Sequence, residues 1–555
     1  MRALVCLLFA CVLALDASAQ REGVPQIGSP LSDFLQRQDT AGRLPTDAET
    51  NLLPMSAAEA GRLLDTLAVQ VRRGEVQLSR ADRQLLERYR SETPATLFGG
   101  RAPLGAYADG VSLTRVEGDG YAFELEPLLY LSAGPTRQTA LGERDPTALT
   151  YWNSRGIRAA GRLGRLFFET RAQENQRDPS VYAYDALRRT APRYGFVKRF
   201  GDDAYDYFTA EGVVGYHDRF VEARFGRGRN RWGAGRGTLF LSDYSAPYDH
   251  LQIRAHAGPV TYASTFARFT TPDRDPRGRD LVLPSKYGAF HRFAIDLGRV
   301  ELEAFEAIIF HDDTLGGTRR GFEIGYLNPV IFYRSVESEL GSGDNALIGL
   351  GASARPVDGA EVYGQVLIDE FAAADIGTSS WRNKFGFLAG AHVVDLGLSG
   401  LETRVEYARL RPHLYGHRSV SSAYTHYGDV VGHPIGPNAD DLMLALDYRP
   451  TLKATAGLTV ARTRRGREPL ADSTVGADPR RSYILRVSNE SPQFDGVRQS
   501  EWLVEGRAGY EVLPRLVVEG AVTYQAIDDD ELGLDRALTG LLQLRWGLPF
   551  RSERY

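Results

Sequence analysis

Four arginines, Arg227, Arg229, Arg231 and Arg236, are interleaved with glycines and Trp232 and lead into Asp243 and Tyr244. Guanidinium groups grip carboxylates through paired hydrogen bonds and aromatic faces stack on pyranose rings, so the stretch suits an anionic sugar. A phosphate-cradling Gly loop fits less well, because no helical pattern follows to lend its N-terminal amides. Sheer abundance is the competing explanation: of 66 basic residues only four are Lys. His413, His417, His426 and His433 crowd near Asp429, Asp440 and Asp441. Metal ligands must converge at about 2 Å, and this Gly- and Pro-rich stretch lacks helical i, i+4 spacing, so it reads as a polar loop with no metal and no cofactor. Asp312-Asp313 or Glu124 with Glu126 could supply the two carboxyls of a glycosidase, about 5–10 Å apart. Every wet strand face offers the same pairing, and no nucleophile elbow, His-Glu-x-x-His or Walker motif is present. An outer-membrane hydrolase acting on lipid or glycan therefore lacks a recognisable nucleophile constellation.

The elements that position these residues fall into three regions. Met1-Arg2, the apolar run Ala3 to Leu15 and Ala17-Ser18-Ala19 form a signal-peptide pattern over residues 1–19, so export is expected. Both cysteines, Cys6 and Cys11, lie inside it, which leaves the mature chain without disulfides or thiolate ligands. The net charge of -5 argues against nucleic acid as a partner. Residues 20–100 are expected to form a small helical region. Ser56 and Glu59 make a capping box ahead of Ala60, Leu63, Leu64, Leu67 and Val71 on one face. Ser79 to Asp82 repeats the signal before Leu85, Leu86 and Tyr89, and Leu31, Phe34 and Leu35 suggest a further short helix. At about 70 residues its core is marginal alone, so it should dock on something larger.

From about Tyr107 onward the apolar period is two. Tyr121, Phe123, Leu125, Leu129 and Leu131 share one parity, as do Leu442, Leu444, Leu446 and Tyr448. Val362 to Ile368, Leu401 to Tyr407, Leu516 to Tyr524 and Leu538 to Phe550 behave alike. With 58 Gly, 27 Tyr and 25 Phe against 3 Met, the composition is that of a turn-rich β protein. Apolar residues facing one way and charges the other fit a secreted multi-sheet protein or a membrane barrel with a wet interior. The absence of a linker favours the barrel. So do aromatic residues at expected strand ends, as in Phe332-Tyr333, Tyr407, Tyr448, Tyr510 and Tyr524. At roughly 25 residues per strand and loop, residues 101–555 hold about 18 antiparallel strands. The mean hydropathy of -0.30 is what alternating strands, loops and a polar lumen average to.

Four ordered motifs then resemble the Wzi-type capsule assembly family. They are Arg231-Trp232-Gly233-Ala234-Gly235-Arg236 with the Leu-Ser-Asp and Ala-Pro-Tyr residues that follow, Gly325-Tyr326-Leu327-Asn328-Pro329-Val330, Tyr363 to Phe371, and Tyr424 to Asp440. The resemblance implies an 18-stranded barrel in the outer membrane of a Gram-negative-type bacterium, with the helical region at its periplasmic side. It also implies a lectin-like, non-enzymatic role in holding capsular or exopolysaccharide at the cell surface. Expected partners are that polymer, outer-membrane lipid and lipopolysaccharide, and the barrel insertion machinery, with the barrel itself a monomer. The last strand resembles the C-terminal insertion signal, except that Arg551 to Arg554 follow Phe550. Candidate polysaccharide-binding residues, in the lumen or loops, are Arg231, Trp232, Arg236, Asp243, Tyr244, Asp369, Glu370, His426 and Asp429. Barrel geometry taken alone leaves an outer-membrane porin or sugar-specific channel as the alternative.

Overall fold

A computed structural model describes residues 27–90, 114–118, 120–139, 149–178, 190–200, 204–271, 283–311, 323–328, 332–340, 343–469, 473–552 and 554. The signal pattern at 1–19, the Asp312-Asp313 pair and the Pro329-Val330 end of one motif lie outside the described residues.

Eighteen antiparallel strands close into one transmembrane barrel. In chain order the first six are Tyr121–Thr139 (β1), Leu149–Leu163 (β2), Leu166–Asp178 (β3), Ala204–His217 (β4), Val221–Gly228 (β5) and Tyr248–Ala257 (β6). Val260–Thr270 (β7), Ser285–Asp296 (β8), Val300–His311 (β9), Asn345–Val357 (β10), Ala360–Glu370 (β11) and Lys384–Val394 (β12) follow. The last six are Leu401–Leu410 (β13), Ala439–Tyr448 (β14), Ala454–Arg467 (β15), Val497–Leu513 (β16), Leu516–Asp529 (β17) and Gly533–Trp546 (β18). Pairing of β18 with β1, Leu544 opposite Leu131, leaves no free edge.

The period of two resolves into an outside and an inside. On β11, Val362, Val366 and Ile368 point out and are exposed, whereas Tyr363, Gln365 and Leu367 point in and are buried. Phe208, Val214, Leu350, Leu442, Val522 and Leu542 extend the outward apolar belt around the barrel. Among the described residues no helix is long and apolar enough to cross a membrane.

The two ends of the barrel differ. At one, neighbouring strands meet in tight turns such as Gly164-Arg165, Gly258-Pro259, Asp358-Gly359 and Pro514-Arg515. At the other, long segments such as 229–247 and 411–438 intervene. Three helices cover the tight-turn end: Pro30–Thr40 (α1), Ala57–Arg72 (α2) and Arg80–Arg90 (α3). The caps are those read from sequence, since Ser56 Oγ accepts from the Glu59 amide at 3.0 Å and Ser79 Oγ from the Asp82 amide at 3.0 Å. Their shared core of Phe34, Leu35, Leu63, Leu64, Leu67, Leu85 and Leu86 also takes in Leu452 from the β14–β15 turn.

Two expected features differ. Phe332-Tyr333 is not a strand end: Tyr333 opens a short helix, Tyr333–Leu340 (α4), and is buried beside Tyr326 and Phe310. The last strand stops at Trp546 rather than reaching Phe550, and the tail turns into the lumen. There Arg551 donates to Ser154 Oγ at 2.7 Å and to Gln173 at 3.0 Å, and Ser552 donates to Glu505 at 2.9 Å. The arginines that break the aromatic ending are therefore lumen anchors.

Helices and barrel are joined by ion pairs with little access to water. Arg37, buried, meets Asp395 at 2.6 Å, Asp82 at 3.4 Å and Glu402 at 3.7 Å. Arg355 meets Asp39 at 2.6 Å, and Arg292 reaches Glu303, Glu301 and Glu49 at 2.7, 2.9 and 3.3 Å. Breaking one partner of such a set strands the remaining charges. Arg37→Ala is expected to cost about 3–5 kcal/mol and to make the 27–90 region the first released in limited proteolysis while the strands resist. Proteolysis that spares this region in the variant as in the wild type would contradict the assignment.

Candidate functional site

Residues 229–247 and 411–438 fold into the lumen and form a plug. Its core contains Trp232, Leu239, Phe240, Leu241, Tyr415 and Tyr424, packed on inward wall residues such as Phe290 and Phe305. Trp232 is fully buried, edge-on to Phe290 and Phe305 at 6.4 and 6.2 Å, while Phe240 stacks on Phe305 at 4.8 Å.

The glycines around Trp232 exist because the wall comes so close. Glu406 on β13 accepts from the amides of Arg236 at 3.0 Å and Gly237 at 2.8 Å, and from the Tyr363 hydroxyl at 2.9 Å. Gln365 on β11 accepts from the Leu239 amide at 2.9 Å. A Cβ on Gly233, whose φ is +107°, would lie 1.9 Å from Gln365 Nε2. The Gly-rich loop does cradle an anion, and the anion is the protein's own carboxylate. From the other side, Leu52 and Leu53 pair antiparallel with Trp232 and Arg231, and Arg224 donates to the Pro54 carbonyl at 2.8 Å. The helical region thus continues into the plug through a two-residue ladder.

The candidate residues do not form one surface. Trp232 is interior, and Arg236 is ion-paired with Asp447. Asp369 accepts from the Tyr415 amide at 2.9 Å, and Glu370 meets Lys384 at 2.9 Å. His426 accepts at Nδ1 from the Thr270 amide at 2.9 Å, and Asp429 accepts from the Arg193 amide at 2.8 Å. Tyr244 packs against the plug core. Arg231, half-buried, lies in the plug ladder, and Asp243 faces a cavity described below. Glu124 and Glu126, the carboxylate pair, share Arg158. His413 turns to Ser491 at 3.2 Å and His426 to the Thr270 amide, so these two histidines serve separate neighbours.

Residue type gave no hint of several anchors. Glu406, Gln365 and Tyr363 look like ordinary wet-face residues. Lys286 and Lys384 are buried, Lys286 donating to the Ala423 carbonyl at 2.7 Å and Lys384 to that of Gly416 at 3.2 Å. Their rarity was the available signal: two of four lysines hold the plug.

Beside the plug, a cavity of about 330 Å³ runs along the inner faces of β3, β4 and β5. Arg171, Arg193, Arg224, Arg227, Arg229 and Arg551 line it, with Tyr194, Tyr207 and Phe550 supplying rings.

No protein-family model matches the sequence, and no curated protein sequence does. Among solved structures the chain is similar to Wzi of Escherichia coli, described as an outer-membrane protein involved in group 1 capsule assembly and a carbohydrate-binding β-barrel. Identity is 13% and the TM-score 0.54, over 96% of this chain and 100% of that one. Two Pseudomonas aeruginosa barrels are weaker likenesses: OccK7 at 11% identity and TM-score 0.43, covering 77% and 99%, and OccK2 at 13% and 0.41, covering 77% and 98%. The fold is thus that of an outer-membrane β-barrel, and the resemblance in architecture expected from the motifs holds.

Burial makes the plug sensitive to acid. It lowers His413 and His426 to about 3 and His417 and His433 to about 4, from an ordinary 6.5. The fold favours the neutral rings, so their contribution is complete above 6.5 and is lost as pH falls from there towards 3–4. Asp429, raised by burial to about 7, acts oppositely, losing its contribution as pH rises from about 4 to 7. Four imidazoles outweigh one carboxyl. Amide-exchange protection across 411–438, corrected for intrinsic rate, is expected to fall between pH 7.5 and 5; protection independent of pH would contradict it.

Proposed function

We propose that the protein is a monomeric, non-enzymatic outer-membrane barrel that holds capsular or exopolysaccharide at the cell surface. The observation that carries this reading is the filled lumen. A general porin needs an open aqueous path, whereas here two inward segments, the C-terminal tail and the Leu52-Leu53 ladder occupy the interior. A barrel so filled is a rigid scaffold for loops and side chains that grip a polymer.

Further support comes from the shared fold with Wzi, described as carbohydrate-binding, and from arginines set beside aromatic rings, which suit acidic sugars. Tight turns face the periplasm in bacterial barrels, which supports a periplasmic position for α1, α2 and α3 and a surface position for the long segments. The outward belt meets outer-membrane lipid and lipopolysaccharide, and the insertion machinery reads β18. The wet-face carboxylates Glu124, Glu126 and Glu406 are held by Arg158 or by plug amides, which supports a non-enzymatic role. Deleting the gene should release polymer into the medium while total polymer stays constant, and the wild-type gene should restore attachment. Cell-bound polymer unchanged by deletion would overturn the proposal.

A further inference from the structure

The cavity along β3, β4 and β5 has polar features that the plug does not use. Arg224, 2% exposed, lines it with an Nη2 that has no hydrogen-bond partner among the described residues. The Tyr207 hydroxyl, on a residue 6% exposed, is likewise unpartnered and lines the same space. Buried donors of this kind are rare in folded proteins, because each costs its full desolvation unless something accepts from it. Arg193 and Arg551 also line the cavity, and neither is in an ion pair among the described residues. Among the described residues the carboxylates on its wall are Glu169, Glu211 and Asp243, against six arginines, so positive charge predominates there.

The shape is elongated. Tyr207 pairs across to Asn175 on β3, whereas Arg224 pairs with Gly215 on β4, eight positions further along that strand. At 3.4 Å per residue the backbone positions that carry the two donors lie roughly 27 Å apart, more than the two side chains can span together. A single small anion would satisfy one end only. A short chain of sugars carrying carboxylates at intervals can accept from both, with its rings against Tyr194 and Phe550.

The geometry points to a lumenal binding site for a uronate-bearing oligosaccharide segment, held between Arg224 at one end and Tyr207 with Arg551 at the other. This rests on the polysaccharide-holding function and names both the class of polymer and a grip inside the barrel. The neighbours explain why the site stays open: Arg224 is oriented by Glu222 and the Pro54 carbonyl, and Arg551 by Ser154, Gln173 and the Trp152 ring at 4.3 Å.

The test is calorimetric titration of the detergent-purified full chain with tetragalacturonate and, separately, neutral maltotetraose. The acidic tetrasaccharide is expected to bind about tenfold tighter or more, with affinity falling as salt rises. Tyr207→Phe, which removes one hydroxyl and leaves the ring, and Arg551→Gln should each weaken it severalfold while heat-modifiability on gels, the sign of a folded barrel, stays as in the wild type. Acidic and neutral probes binding alike, no binding of the acidic probe, or affinity unchanged in both folded variants would each overturn the site. The two readings fail separately: loss of cell-bound polymer on gene deletion, with no tetragalacturonate binding, removes the lumenal site alone. Binding with attachment unaffected by deletion keeps the site and removes the attachment function.

Discussion

A closed barrel solves the edge problem of a β-sheet and creates another: every second residue of eighteen strands points into a polar lumen wide enough for an aqueous channel, which only inward segments of the chain can close. The carboxylate of Glu406 shows how this chain resolves it. Its two oxygens take the amides of Arg236 and Gly237 and the Tyr363 hydroxyl, so a wall charge becomes the fixing point of an inward loop. Gln365, Lys286 and Lys384 repeat the arrangement around the wall. Each buried polar group is expensive if unpaired, so the wall and the plug specify one another.

The same constraint ties the two ends of the molecule together. The helices dock on the tight turns through Arg37, Arg88 and Arg355, and the chain between α1 and α2 runs inward to pair Leu52-Leu53 with Arg231-Trp232. Any displacement of the plug is therefore felt by the helical region through two residues of ladder and the Arg224 and Arg254 contacts to the carbonyls of Pro54 and Leu52. The C-terminal tail adds a third inward segment, with Arg554 ion-paired to Asp441 and Arg551 donating to Ser154.

Sequence periodicity revealed the strands because lipid contact imposes it: Val362, Val366 and Ile368 had to be apolar wherever they lay along the barrel. Capping chemistry located the helices for the same local reason, since Ser56 and Ser79 satisfy amides three residues on. What was not legible is non-local. Arg551 to Arg554 looked like a blemish in an insertion signal and are anchors, because only the folded lumen supplies Ser154, Gln173 and Asp441. Trp232 and the glycines beside it looked like a sugar-binding surface and pack inward, because close approach to Gln365 and Glu406 cannot be seen from spacing. The cavity arginines come from strand β3, strand β5, the plug segment that follows it, the Thr190–Phe196 hairpin and the tail, and no single motif contains them all.

Ion conductance across planar lipid bilayers tests the filled lumen most directly. The purified wild-type barrel should insert and show no sustained channel current, whereas Glu406→Ala, which strips the acceptor from two plug amides and the Tyr363 hydroxyl, should show frequent openings. A wild-type barrel that conducts steadily, with a current unchanged by that substitution, would contradict the account.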